Sequence, residues 1–178
     1  MGRQLFQDGP FIDPQVANGT ALVATTAEAL WLATQFTPIF ANDPKAGKVY
    51  CVRAGGIITT AASGTLIIAP QYGAIGGTAL GASVTQTVVP SLSNLPWYLC
   101  FDLVFRTIGA AGANSTCIGT GFFTTGGAAA TAGSSIDLSF GGTSATVDAT
   151  INSGITFSKT LSVAGSVTTQ YAYIFSRN

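Results

Sequence analysis

Leu95-Pro96-Trp97-Tyr98-Leu99-Cys100-Phe101-Asp102-Leu103-Val104-Phe105-Arg106-Thr107-Ile108 decides the fold of this chain. Trp97, Leu99, Phe101, Leu103 and Phe105 alternate with Tyr98, Cys100, Asp102, Val104 and Arg106. Side chains of a strand point to opposite faces with period two, so one face carries a row of large apolar groups. A helix would scatter the same residues around its circumference. Burying each such side chain contributes roughly 1.5–3 kcal/mol, so this strand is expected to anchor a core.

The same period extends in both directions. Residues 21–26, 28–34, 48–54 with 57–60, 65–70 and 80–89 read as strands before it, and 115–125, 136–140, 145–149, 155–163 and 167–176 after it. Gly55-Gly56 reads as a bend or bulge, Ser63-Gly64 as a turn, and 35–48, 71–79, 109–114 and 126–134 as loops. In 155–163, Ile155, Phe157, Leu161 and Val163 share a face with Lys159. In 167–176, Tyr171, Tyr173 and Phe175 point one way and Ala172, Ile174 and Ser176 the other. Many short strands separated by turn signals predict an all-β protein, an antiparallel jelly-roll-like β-sandwich formed by residues 20–178 as a single domain. No internal repeat is present, which argues against a propeller or solenoid.

Residues 1–19 differ from this body. Gly9-Pro10, Asp13-Pro14 and Asn18-Gly19 are breaker pairs, and proline restricts both its own φ and the residue before it. The segment reads as an extended N-terminal arm. Leu5, Phe6, Phe11 and Ile12 give it apolar groups to bury against a partner, and they are the candidate partner-binding residues.

Charged residues make up 8% of the 178, with seven basic and seven acidic. A chain with so few charges and no net charge is expected to be poorly soluble alone, which points to assembly with copies of itself; the alternative is a monomer coated in Thr and Ser. Lys45, Lys48 and Arg53 are the nearest approach to a basic cluster, too few for a nucleic-acid-binding stripe. No apolar run is long enough for a membrane helix, and residues 1–8 lack the apolar region of a signal peptide, so synthesis in the cytoplasm and no membrane partner are expected.

Chemistry is sparse. The absence of histidine removes the commonest general base and metal ligand near neutral pH. Cys51, Cys100 and Cys117 have no metal-type spacing and read as small buried hydrophobes. Glycoside hydrolysis needs two facing carboxylates; Glu28 with Asp102 is one conceivable pair, but Asp102 is better placed to pair with Arg53 or Arg106. Asn42-Asp43 offers little for calcium, and Gly119-Thr120-Gly121 and Gly126-Gly127 read as turns and bulges rather than phosphate loops. No catalytic, cofactor or metal residue is assigned, and a non-enzymatic structural role is expected.

Several segments carry a resemblance: Ala41-Asn42-Asp43-Pro44-Lys45-Ala46-Gly47-Lys48-Val49-Tyr50, Ala54-Gly55-Gly56-Ile57-Ile58-Thr59-Thr60, Leu66-Ile67-Ile68-Ala69-Pro70-Gln71-Tyr72-Gly73, Leu80-Gly81-Ala82-Ser83, Pro96 to Gly109, Ile118 to Gly121 and Phe140 to Thr143. Across residues 20–178 the chain resembles small structural proteins of tailed-phage virions. The resemblance implies a virion component made in the host cytoplasm. Among such components, one compact domain with an extended arm and no repeats suits a capsid decoration (cement) protein on the outer head surface. Decoration proteins of this kind are commonly homotrimers, and the partner implied is the major capsid protein. A tail-fibre or receptor-binding domain is the second expectation, and a sugar-active enzyme a distant third.

Overall fold

The alternating segment is the middle of the longest strand, and the rest of the molecule is arranged around it. The computed structural model describes residues 18–19, 26–31, 39–112, 114–126 and 135–177, with backbone alone at 135–138 and 140. Ten strands lie among them: β1 (Glu28–Ala29), β2 (Val49–Thr60), β3 (Gly64–Tyr72), β4 (Thr78–Ala79), β5 (Val84–Val88), β6 (Leu92–Thr107), β7 (Ser115–Gly126), β8 (Ser135–Val147), β9 (Ile155–Leu161) and β10 (Gly165–Arg177). They form two antiparallel sheets. Sheet I has the order β10-β2-β6-β7-β8; sheet II has β1-β9-β3, with β4 and β5 sharing the far side of β3.

Trp97 is 3% exposed, and Leu99, Phe101, Leu103 and Phe105 are fully buried. These side chains face sheet II. Phe101 meets Phe157 edge-on at 5.1 Å between ring centroids, and Trp31 meets Phe157 at 5.5 Å. Tyr72 of β3 and Tyr50 of β2 both pack against Phe105, at 6.2 and 5.9 Å. Such edge-to-face pairs add to the area term and fix ring orientation.

Both open sides of the sandwich are laced. On one side Lys159 Nζ donates to Val167 O at 2.8 Å, and the Thr169 hydroxyl donates to Leu30 O. On the other, a bridge joins Ala82 to Gly141 of β8. The all-β sandwich expected from the pattern is present. β2 pairs with β10 and β3 with β9, so the end of the chain returns to flank its beginning. The meander β6-β7-β8 lies within one sheet, whereas a full jelly roll alternates between sheets.

Local departures have physical causes. Gly55-Gly56 does not break β2; the irregularity falls on β10, between Thr169 and Tyr171. Residues 136–140 and 145–149 are not separate strands. Most of this span belongs to β8, with Asp148 and Ala149 beyond its end, and Gly141 and Gly142 (φ 92° and 82°) absorb a bulge within the strand. Gly119 lies inside β7, where a Cβ would stand 2.2 Å from the Phe101 ring, so the glycine makes room for the central core side chain. Only Val84–Val88 of 80–89 is strand. Residues 21–25 and 32–34 of the two expected early strands lie outside the described residues, as do residues 1–17 of the expected arm, Leu5, Phe6, Phe11 and Ile12 among them.

Candidate functional site

The residues that alternate with the core row of β6 define the other face of sheet I. Register carries them across four strands. One row is Tyr171, Gly55, Tyr98 and Thr124; the next is Tyr173, Arg53, Cys100 and Phe122; the third is Phe175, Cys51, Asp102 and Thr120. Strands prefer aromatic residues for fit to a pleated surface, and β10 presents its aromatic side here because Ile174 and Ser176, 4% and 3% exposed, take the inner side.

Aromatic and charged groups interlock on this face. Tyr98 and Phe122 lie 6.0 Å apart, and Tyr173 and Phe175 stack at 6.1 Å. The guanidinium groups of Arg53 and Arg177 sit 5.9 and 5.3 Å from the Phe175 ring centre. Arg53 Nη1 also reaches Asp102 Oδ1 at 3.4 Å, one of the two pairings left open by the sequence. This face carries Arg53, Arg106, Arg177 and Asp102, and the register sets Asp137 of β8 beside Thr124 in the first of these rows. Phe122 and Tyr171 remain 39% exposed.

At one end the face dips into a depression of about 420 Å³ lined by Gly56, Trp97, Tyr98, Thr124, Gln170 and Tyr171. Its floor depends on glycine. The Tyr171 ring lies over Gly55, where a Cβ would fall 2.5 Å from it, and a Cβ on Gly56 would fall 1.9 Å from Thr168 O. Tyr171 and Tyr98 both have phenol pKa values raised, chiefly by burial, and remain neutral hydrogen-bonding groups at ordinary pH.

The other titratable groups are dispersed. Asp43 accepts from Lys48 Nζ at 2.8 Å and from Tyr50 Oη at 2.6 Å. Burial raises the Asp43 pKa, but those hydrogen bonds and the Lys48 and Lys45 charges outweigh it, and the carboxyl sits below its usual range. Lys48 is turned inward, so Lys45, Lys48 and Arg53 form no basic cluster. Asp148 accepts from Thr150 N–H and the Thr150 hydroxyl in its own loop and from Gly112 N–H in the loop between β6 and β7. Glu28 stands opposite Lys159 in sheet II, whereas Asp102 lies on the outer face of sheet I, so the sandwich separates this conceivable carboxylate pair.

Lys159, 1% exposed, occupies the inner side of β9 among Ile155, Phe157 and Leu161. Burial lowers its pKa to about 8, against the opposing pull of Glu28. Cys51 and Cys117 are buried, and burial raises each thiol pKa to about 11, with Asp102 adding to the effect at Cys51. Cys100 is half-buried in the middle of the outer face. Among the described residues no three His, Cys, Asp or Glu side chains gather into a metal-binding group.

The outer face of sheet I is therefore the densest gathering of recognition-type side chains among the described residues. The sequence pattern located its strands, and left open both the choice of Arg53 or Arg106 as partner of Asp102 and the direction of the β10 aromatic row. Arg177, continuing that row, is the signal that marks it as outward. No family model, no curated protein and no solved structure matches this chain.

Proposed function

We propose that the chain is a non-enzymatic structural protein of a phage virion, a capsid decoration protein that assembles with copies of itself and binds the major capsid protein on the outer head surface. The observation that carries this reading is the outer face of sheet I: half-exposed aromatics and arginines on a rigid antiparallel sheet. Aromatic residues and arginine are the types enriched at the centres of protein–protein interfaces. The low charge and the resemblance to small phage virion proteins support the same reading. A cement function needs binding surface and rigidity rather than turnover, and the two laced sheets supply rigidity.

The test is to add purified protein to undecorated heads and image them by electron microscopy. Regular extra density on the head lattice, with greater resistance of the heads to heat, is expected. Failure to bind heads, together with binding to tails or to host cells, would sink the decoration reading. A second reading, a tail-fibre or receptor-binding domain, is favoured by one feature: the Tyr98–Gln170–Tyr171 depression combines aromatic faces with an amide, a combination suited to a sugar ring. Retention on host glycans, lost in Tyr171→Ala, would favour it.

A further inference from the structure

We propose that the depression at the end of the outer face of sheet I binds one neutral pyranose ring; this rests on the sugar reading of that depression and adds how the site is made and which sugars it takes. Three observations converge. First, the backbone builds the site. The ladder between β2 and β10 shifts between Thr169 and Tyr171, so Gln170 has no partner on β2, and its side chain is exposed. Bulges re-aim side chains and are frequent beside active sites. Opposite this one stand Gly55 and Gly56. Cζ, Oη and Cε1 of Tyr171 would fall 2.5 to 2.6 Å from a Cβ on Gly55, so the ring rests on bare backbone while the residue stays 39% exposed. Gly56 and Gly126 line the depression without side chains, and Pro96, Tyr98 and Thr124 help to complete it.

Second, the lining matches the two surfaces of a sugar. A pyranose presents an apolar C–H face and a rim of hydroxyls. Tyr98 and Tyr171 supply aromatic surface for the face. The Gln170 amide, the Thr124 hydroxyl and the two phenols supply donors and acceptors for the rim. The volume of about 420 Å³ lies at the lower end of the roughly 300–1,000 Å³ usual for small-molecule sites, which suits a single ring.

Third, the electrostatics select neutral sugars. Among the described residues, none that lines the depression is charged. Arg53, two residues before Gly55 on β2, reaches toward the other end of the face: its Nη1 lies 3.4 Å from Asp102 Oδ1, and its guanidinium 5.9 Å from the Phe175 ring centre. The register sets Asp137 beside Thr124. With an acid at that position and no base in the lining, a carboxylated sugar would meet repulsion without a compensating partner.

The test is a titration of the isotope-labelled full chain followed by amide NMR. The neutral probes are the methyl glycosides of glucose, galactose and mannose and N-acetylglucosamine; glucuronate and N-acetylneuraminate are the acidic pair. At least one neutral probe should shift the amides of Gly56 and Gly126 and the side-chain amide of Gln170 together, with one dissociation constant. Tyr171→Ala should weaken that binding by about tenfold or more, and Tyr171→Trp should retain it. Gln170→Ala should weaken it while the rest of the spectrum keeps its dispersion. Tighter binding of an acidic probe, shifts confined to other residues, or unaltered binding in Tyr171→Ala overturns the proposal. Retention on host glycans separates the two levels. If neither glycans nor probes bind, the sugar reading and this inference fall together. If glycans are retained but no neutral probe shifts Gly56, Gly126 and Gln170, only this inference falls.

Discussion

The two faces of sheet I are built from the same strands and nearly the same residue types, yet they do different work. On the inner face of β6, Leu99, Phe101, Leu103 and Phe105 are fully buried against sheet II. On the outer face, one residue away in each case, Tyr98, Cys100, Asp102 and Val104 are only half-buried. Aromatic content does not separate them: Phe122 and Phe123 are neighbours in β7, one 39% exposed and the other fully buried. What separates them is the partner layer. The inner face has sheet II to exclude water. The outer face has aromatic rings, arginines and Asp102 that make contacts among themselves and still present area to another molecule. Hydrophobic character alone therefore does not mark a core, whereas hydrophobic character with an opposing layer does.

The largest expected effect is on the inner face. Phe101→Ala should cost about 3–5 kcal/mol, because it removes the ring that meets Phe157 and fills the space left by Gly119. Urea unfolding measures it, and a midpoint that hardly moves would show that the two faces are not energetically distinct.

Lys159 gives a pH-dependent test of the inner side. Its pKa in the fold is about 8 against 10.5 for the free group. Below pH 8 the folded state bears a buried ammonium, a cost on the order of 3 kcal/mol for a shift of that size. Between pH 8 and 10.5 the unfolded chain binds the extra proton, so this residue's contribution to stability rises with pH. Cys51 and Cys117, with thiols raised to about 11 in the fold, oppose this trend at the alkaline end. The informative quantity is thus a difference: Lys159→Met should exceed the parent in stability near pH 7, and the gap should narrow toward pH 10. A gap independent of pH would place the ammonium in water.

Asp43→Asn should cost about 1–3 kcal/mol, because it leaves Lys48, whose side chain is 8% exposed, without its carboxylate. Stability owed to this pair should be present at neutral pH and be lost as acid titrates Asp43 below its ordinary range. Thermal melts of parent and variant from pH 7 to pH 2 should converge.

The smallest effect on folding belongs to the outer face. Phe122→Ser and Asp102→Asn should each change stability by about 1 kcal/mol or less, since one ring is 39% exposed and the other residue is a half-exposed carboxylate in a long, 3.4 Å ion pair. Phe122→Ser should nevertheless reduce self-association in sedimentation. A large loss of stability with intact association would make this face a second core rather than a docking surface.

Much of this was legible in the order of residues. Period-two alternation in Trp97 to Phe105 set the strand and its buried side, and the position of Lys159 among Ile155, Phe157 and Leu161 already put a lysine on an apolar face. Asp102 could be given an arginine partner, but the choice between Arg53 and Arg106 waited on the pairing of β2 with β6. The side that Tyr171, Tyr173 and Phe175 would take could not be decided, because both sides of β10 hold apolar residues and the alternation works either way. The merger of most of 136–149 into one strand was also hidden, because Gly141-Gly142 interrupts the alternation, and only the paired backbone shows that these glycines form a bulge at positive φ.

The sequence by itself determined the periodicity, the scarcity of charge and the concentration of breaker pairs in residues 1–19, because these are properties of neighbouring residues. Tertiary structure decided which of two similar faces became core, that Gly119 and Gly55 serve aromatic rings from adjacent strands, and that Glu28 and Asp102 stand apart. Each depends on which strands pair and which sheets stack, and those contacts join residues tens of positions apart that local pattern cannot connect.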